Sequence, residues 1–273
     1  MLYHVFVDKQ PLVSAVILTT WTSADALHCV QALKAQTIAD QIEIMVTENH
    51  SEDDSIGILR TRLKGMSGVR LIETPKNRGY GTGNNFASRY ATGKYLLIIN
   101  PDNEPEPQAI EQMVQTMERD PSIGILAPRL VFEDGSARAS ARRFPTIWDV
   151  IIKRTFLQHI FRRRLGWYLR SDVPSAPFQE VDWVVGAVLM LRLDFFRELG
   201  GFDERFFLFF EDMDLCRRCK KAGKKVIFAP AITARDSKKR LSGGGVLSLL
   251  TKRTGRAHIA SALKYFWKWK GEA

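Results

Sequence analysis

The 273-residue sequence predicts an α/β fold, a doubly wound sheet with helices packed on its faces. Two observations carry that expectation. Short β-branched apolar runs alternate with segments of helical period through residues 13–99, and three polar clusters each begin where such a run stops. A hydrophobic content of 45% is enough core for one large domain, or for a domain with an appendage.

Val13 to Thr20 is the first run, suited to a strand buried on both faces. Ala26, Leu27, Val30 and Leu33 then recur at helical spacing between Ser23 and Gln36, with Ser23 as the expected N-cap. Ile42 to Val46 reads as the second strand, and polar Glu48 to Ser55 as the loop that ends it. Ile56, Leu59 and Leu63 mark a second helix, and Val69 to Ile72 a third strand. The Asn77 to Asn85 segment reads as a turn leading into a helix through Ala87 and Tyr90, and Lys94 to Ile99 as a fourth strand ending at Asn100-Pro101. In such a succession ligands bind beyond the carboxyl ends of the strands.

A helix is expected from Pro105 through Met117, a strand over Ile123 to Pro128, and a long Arg-, Pro- and aromatic-rich excursion from about Ser136 to Gln179, with a helix near Trp148 to Phe161. Strand character returns over Gln179 to Leu191. A short helix stops at Gly200-Gly201, another follows over Glu211 to Ala222, and Lys225 to Pro230 is the last strand. The boundaries drawn are 1–235 for the main domain, with halves 1–104 and 105–235, and 236–273 for a basic C-terminal extension.

Forty Lys and Arg against 30 Asp and Glu give a net charge of +10, which favours anionic partners: nucleotides, nucleic acid or an acidic membrane face. Arg162-Arg163-Arg164, Lys238-Lys239-Arg240 and Lys252 to Lys270 concentrate that charge in the second half. Acidic clusters along one sheet edge would repel a polynucleotide, so nucleic acid is not expected as a partner. Three cysteines make no disulfide framework and suggest a reducing compartment; Cys216 and Cys219 have a metal-like spacing without a second ligand pair. No run of about 18 apolar residues and no secretory pattern occurs, which leads to the expectation of a cytoplasmic protein. From Leu247 to Trp269 apolar and basic residues interleave, as in a helix on an anionic membrane surface or one packed on the domain with its lysines solvated.

The polar clusters are Glu48 to Asp54, Asn77 to Asn85 and Asn100 to Asn103. Gly79, Gly81 and Gly83 do not have dinucleotide-loop spacing; they suit either a tight turn or a backbone that approaches a phosphate closely before a helix N-terminus. Asp102 in its proline turn is a hard oxygen ligand for Mg2+ or Mn2+, or a turn residue bonding its own backbone. An aromatic run, Phe206 to Phe210, precedes Glu211, Asp212 and Asp214, acids that would line a cleft or merely cap a helix, with Asp214 paired to Arg217 or Arg218.

Taken in order, these motifs resemble the second family of inverting glycosyltransferases, in particular its bacterial rhamnosyltransferase-like branch that builds cell-surface polysaccharides, from Val13 to about Phe266. The resemblance implies a GT-A type fold: a Rossmann-like mixed sheet flanked by helices, here with the C-terminal helical extension. It assigns the donor side to Thr19, Glu48 (where aspartate is usual), Asn77, Gly79, Gly81, Asn84 and Asn85, and a Mg2+ or Mn2+ contact to Asp102. It sets Trp183, Gly186, Ala187, Glu211 and Asp214 beside the acceptor, and makes Asp212 the base that deprotonates the acceptor hydroxyl. Arg235 stands where the family has a histidine, and would reach the diphosphate instead. The implied partners are a UDP- or dTDP-linked sugar, a glycan or polyprenyl-diphosphate-linked acceptor, and the inner face of a cell membrane. A catalytically impaired relative that keeps nucleotide or membrane binding, or a different metal-dependent nucleotide-sugar enzyme, is the alternative. A nucleotidyltransferase would need a glycine-rich basic loop after strand one, which Leu18 to Thr22 lacks.

Overall fold

The computed structural model describes residues 10–170, 176–237 and 251–271. Its first half follows the expected alternation: β1 (Val13–Thr19), α1 (Ser23–Lys34), β2 (Ile42–Glu48), α2 (Ser55–Leu63), β3 (Val69–Glu73), α3 (Tyr80–Ser88) and β4 (Tyr95–Ile99). β1 and β2 are buried along their whole length. Alternate residues feed two cores, Val13, Ala15 and Ile17 on one face and Val16 on the other, which is the two-residue period of a strand with helices on both sides. Each fully buried Val or Ile contributes roughly 1.5–3 kcal/mol.

The second half contains β5 (Asn103–Pro105), α4 (Ala109–Arg119), β6 (Ile123–Phe132), β7 (Ala141–Arg142), α5 (Ile147–Arg154), α6 (Leu157–Ile160) and α7 (Arg162–Tyr168). It continues with β8 (Gln179–Glu180), β9 (Trp183–Val184), β10 (Val188–Arg192), α8 (Leu193–Glu198), α9 (Glu211–Lys221), β11 (Lys225–Asp236) and α10 (Arg253–Lys268). The main sheet has the order β3-β2-β1-β4-β10-β6-β11-β5, with β8 also on β11, while β7 and β9 form a separate pair. It is a mixed sheet, because β10 runs antiparallel to both β4 and β6, and β5 antiparallel to β11.

Several local expectations need correction. The single strand from Gln179 to Leu191 is three pieces, one of which leaves the main sheet. The helix near Trp148 to Phe161 is two short helices, followed by a third that ends at Tyr168. Its start is fixed by a capping box in which Thr146 and Asp149 exchange hydrogen bonds, and Arg164 closes on Asp149 at 2.7 Å. Thr22, not Ser23, is the N-cap residue of α1; its hydroxyl bonds the Thr19 hydroxyl at 2.8 Å instead of capping the helix. The turn expected from Asn77 to Asn85 is mostly helix, since α3 already starts at Tyr80.

The C-terminal helix α10 is packed on the domain. Ser261 donates to the Leu208 carbonyl at 2.9 Å, and Tyr265 lies against Phe210. Among the described residues no helix is long and apolar enough to cross a membrane. Lys238-Lys239-Arg240 and Leu247 to Leu250 lie outside the described residues.

Candidate active site

The parallel strands β1, β2, β3 and β4 end on one edge, and the three clusters follow the last three of them there. Asn49 links the first two: its N–H donates to the Thr19 carbonyl at 2.9 Å, and its side-chain amide donates to Asn77 Oδ1 at 3.2 Å. Glu48 is the last residue of β2, not the first of the loop, and its Oε1 accepts the Ser51 N–H at 2.8 Å as well as the Ser51 hydroxyl. Thr19, Glu48 and Asn77 therefore stand together.

The glycines of the second cluster make close approaches to protein. Gly79 has φ 102° and ψ 178°, a region open essentially to glycine, and a Cβ there would lie 2.1 Å from the Phe207 carbonyl oxygen. Cβ atoms at Gly81 and Gly83 would meet Phe202 at 2.9 Å and Leu18 at 2.6 Å, so both glycines let α3 press onto its neighbours. Asn85 is likewise engaged: its side chain accepts from Phe202 N and donates to Phe202 O, each at 2.8 Å. Asn84 donates to the Tyr80 carbonyl at 3.0 Å, while its buried Oδ1 has no hydrogen-bond partner.

The segment Gly186-Ala187 joins the remaining clusters. Because β10 is antiparallel to β4, its first residue Val188 lies opposite Ile99, and the two residues before it fall beside Asn100. Asn100 N–H donates to the Ala187 carbonyl at 2.8 Å. Gly186 N–H donates to Asp212 Oδ2 at 2.9 Å, and the Tyr80 hydroxyl donates to the Gly186 carbonyl at 2.5 Å. A side chain at 186 would begin 3.0 Å from the Asp212 Cβ, a tight contact that would push Asp212 back by a few tenths of an ångström. Burial, then the charges of Glu211, Asp212 and Asp102, hold the Tyr80 hydroxyl well above its usual pKa. Tyr80 is thus a neutral donor within electrostatic reach of three acidic side chains, and the sequence reading missed it; a tyrosine among glycines at a helix start was the available signal.

Asp212 and Glu211 begin α9 after Phe209 and Phe210, two residues in the left-handed region. Burial raises the pKa of both carboxyls. Asp212 is partly compensated by the N–H groups of Gly186 and Met213 and by the Arg142 charge, whereas the fully buried Glu211 Oε2 has no partner and feels Asp212. Of the two, Glu211 is therefore the harder to ionise and Asp212 the better stabilised as an anion. The linkage has a definite sign. A carboxyl whose folded pKa is raised favours the fold fully below its unfolded value and loses that contribution as pH rises through the folded one. Glu211→Gln is therefore expected to melt above the parent at about pH 8, with the gap closing by about pH 4. Thermal unfolding across that range checks it, and a constant gap would contradict it.

Asp102 sits in the turn after β4, where its Oδ2 accepts from the Ser237 hydroxyl at 3.0 Å, and burial, then the Asp236 charge, raise its pKa. Among the described residues no three His, Cys, Asp or Glu side chains gather into a metal cage. The turn nonetheless suits a hard cation: the buried Asn100 Oδ1 and Asn103 Oδ1 lack hydrogen-bond partners beside the carboxylate, and Mg2+ is ordinarily held by one or two carboxylates plus substrate phosphates. The neighbouring acid, Asp236, is already committed to Asn103 at 3.0 Å and to Arg138 at 2.7 Å.

Three expected site residues are committed to partners within the protein. Arg235 lies within β11, not beyond the last strand; alternation buries Ala234 and Asp236 and turns Arg235 outward, where it pairs with Glu106 at 3.2 Å. Asp214 faces away from the cleft into the α9–α10 contact, accepting from Arg218 Nε at 2.8 Å and Trp269 Nε1 at 2.9 Å. Trp183 gives its indole N–H to the Arg143 carbonyl at 2.8 Å, and its ring supports the Arg142 guanidinium 5.0 Å away. Arg142, within electrostatic reach of Asp212, was not singled out in the sequence. Cys216 and Cys219 are free, buried thiols, with Cys219 pushed up to about 12 by burial.

Comparison with known proteins adds to this geometry. The family model described as glycosyl transferase family 2 matches residues 14–174, and that of glycosyl transferase family group 2 matches residues 95–265. The chain is 26% identical, over 89% of its length and 82% of the relative's, to the N-acetylglucosaminyl-diphospho-decaprenol L-rhamnosyltransferase of Mycobacterium tuberculosis. It is 27% identical to the rhamnosyltransferase WbbL of Escherichia coli K12 over 57% of this chain and 60% of that protein. Among solved structures, GalNAc-T7 with UDP, GalNAc and Mn2+ superposes with a TM-score of 0.69 at 16% identity, over 98% of this chain and 49% of the other. The mannosyltransferase PcManGT of Pyrobaculum calidifontis, with GDP-Man and Mn2+, gives 0.59 at 17% identity, over 86% and 59%. The chain thus spans about half to three-fifths of those two structures.

Proposed function

The chain belongs to glycosyltransferase family 2 and has a GT-A fold, and from that premise we propose that it transfers a sugar from a UDP- or dTDP-linked donor to a lipid-linked glycan acceptor, inverting the anomeric carbon. The observation that carries the proposal is the pair of adjacent contacts at Gly186 and Ala187, one to Asp212 and one to the Asp102 turn, which hold the proposed base and the proposed diphosphate end in fixed relation.

Asp212 accepts the proton of the acceptor hydroxyl as that oxygen bonds to the anomeric carbon, and the bond from that carbon to the diphosphate oxygen breaks. The two backbone N–H groups on Asp212 orient its carboxylate without neutralising it. Thr19, Glu48, Asn49 and Asn77 form the wall for the nucleoside, and α3 is held against them by its glycines. Asp102, with Asn100 and Asn103 beside it, is the place for Mg2+ or Mn2+. Such an ion would neutralise charge on the departing diphosphate. Rhamnose is the proposed sugar and a polyprenyl diphosphate the proposed lipid, motivated by the names of the mycobacterial and E. coli relatives. Polysaccharide synthesis is the corresponding setting.

A panel of nucleotide sugars, scored by release of nucleoside diphosphate in the presence of Mn2+ or Mg2+, is the test. One dTDP- or UDP-linked donor should be turned over, with chelator abolishing turnover and Asp102→Asn weakening metal-dependent donor binding by roughly tenfold or more in calorimetry. Absence of any nucleotide-sugar binding with either metal present would overturn the proposal.

A further inference from the structure

The excursion between β7 and β8 presents apolar side chains outward. Trp148 on α5 is 65% exposed, Phe156 just before α6 71% and Ile160 on α6 65%, while Ile152 of α5 and Tyr168 of α7 are buried. On α10, Leu263 is 68% and Trp267 75% exposed, one helical turn apart on the side opposite buried Ser261, Tyr265 and Trp269. The two sets belong to neighbouring elements: the Arg217 guanidinium lies 4.3 Å from the Phe144 ring at the start of the excursion and 5.5 Å from the Tyr265 ring of α10, and Phe144, Val150, Tyr265 and Phe266 share one core.

Cations outnumber acids along both elements, although Lys268 is paired with Asp203 and Asp214. Residues 145–170 contain six Lys and Arg and one acid, Asp149, which is buried and bonded to Arg164; residues 251–271 contain six Lys and Arg and no acid. Protruding aromatics ringed by cations are the pattern of an interfacial surface on an anionic bilayer, whereas protein interfaces are depleted in lysine. A single weak hydrophobic anchor holds a membrane poorly, and a second signal from basic residues is what makes it stable.

We infer that the α5–α6–α7 excursion and the outer face of α10 together form one docking surface for an anionic lipid bilayer. The surface flanks the acceptor side of the cleft: Arg142, in β7 just before the excursion, is in reach of Asp212, and Arg143 N–H donates to the carbonyl of Tyr168, which ends α7. A lipid-linked acceptor would be presented from the same plane, and this purpose, though not the binding itself, rests on the function proposed above.

The test is co-sedimentation of the full chain, without donor or acceptor, on phosphatidylcholine vesicles with and without about 30% phosphatidylglycerol. The parent should bind the anionic vesicles and lose most of that binding at high salt. Trp148→Ser/Phe156→Ser/Ile160→Ser and, separately, Leu263→Ser/Trp267→Ser should each lower partitioning at least about tenfold with an unchanged melting temperature, since these side chains are exposed. Asp212→Asn should bind vesicles like the parent, so a failed donor panel and a failed membrane surface remain separate results. Unchanged partitioning in both patch variants, no anionic preference, or a parent that ignores vesicles but forms dimers the patch variants dissolve would each overturn the inference.

Discussion

Asp212→Asn is expected to lower the transfer rate by about 10²–10⁴-fold while leaving donor affinity within about twofold, the loss typical of removing a positioned general base. Among the described residues the Asp212 carboxylate has two backbone donors and no ion pair: Gly186 N–H reaches Oδ2 at 2.9 Å and Met213 N–H reaches Oδ1 at 2.8 Å. An asparagine keeps the shape and one acceptor but turns an N–H2 toward the other backbone donor. It also removes a buried charge, so the two stability effects oppose each other and the fold should survive. The pH profile supplies an independent check. The base works only when ionised, and burial raises its pKa, so the acid limb of kcat should lie above the range of an ordinary aspartate, with the rate rising as pH rises. Retention of more than a tenth of the parent rate would place the base elsewhere.

Much of the fold could be read from local pattern, and its failures share one cause. β1, β2 and β4 are β-branched runs buried on both faces, a property of their own side chains. The direction of β10 is not: its antiparallel place between β4 and β6 depends on partners about 60 to 90 residues away, and periodicity carries no sign of direction. Pro230 looked like a strand end, yet β11 resumes pairing with β6 at Thr233 after a register shift, which moves Arg235 from a loop to an outward strand position. Gly81 and Gly83 gave a turn signal in sequence because glycine marks both turns and close approaches. Only the packing of α3 on Phe202 and Leu18 distinguishes the two. The site shows the same division. The order of motifs pointed to Asp212, whereas Tyr80 and Arg142 acquire meaning only when the strands bring them to it.

Three acids in four residues looked alike in the sequence, and the structure gives the third a different task, which predicts that Asp214→Ala destabilises the protein by about 3–5 kcal/mol. Asp214 is fully buried. Its Oδ2 takes the Arg218 Nε hydrogen at 2.8 Å, while Oδ1 takes Trp269 Nε1 at 2.9 Å and lies 2.6 Å from Lys268 Nζ. One carboxylate therefore ties α9 to the last turn of α10. Truncation leaves a buried indole N–H unsatisfied and strips Arg218 of its carboxylate, although Lys268 retains Asp203 at 2.8 Å. The loss should localise: hydrogen exchange over Arg253–Lys268 should quicken more than over β1 or β4, because α10 loses an anchor while the sheet keeps its core. Asp214→Asn retains one acceptor and most of the shape, so denaturant unfolding should rank it between the parent and Asp214→Ala. An alanine variant within about 1 kcal/mol of the parent, with unchanged exchange in α10, would contradict the anchoring role. The same pair of variants separates the acids by function: Asp212→Asn should abolish transfer with little change in stability, and Asp214→Asn should weaken the fold while the chemistry at Asp212, on the same helix but facing the cleft, persists.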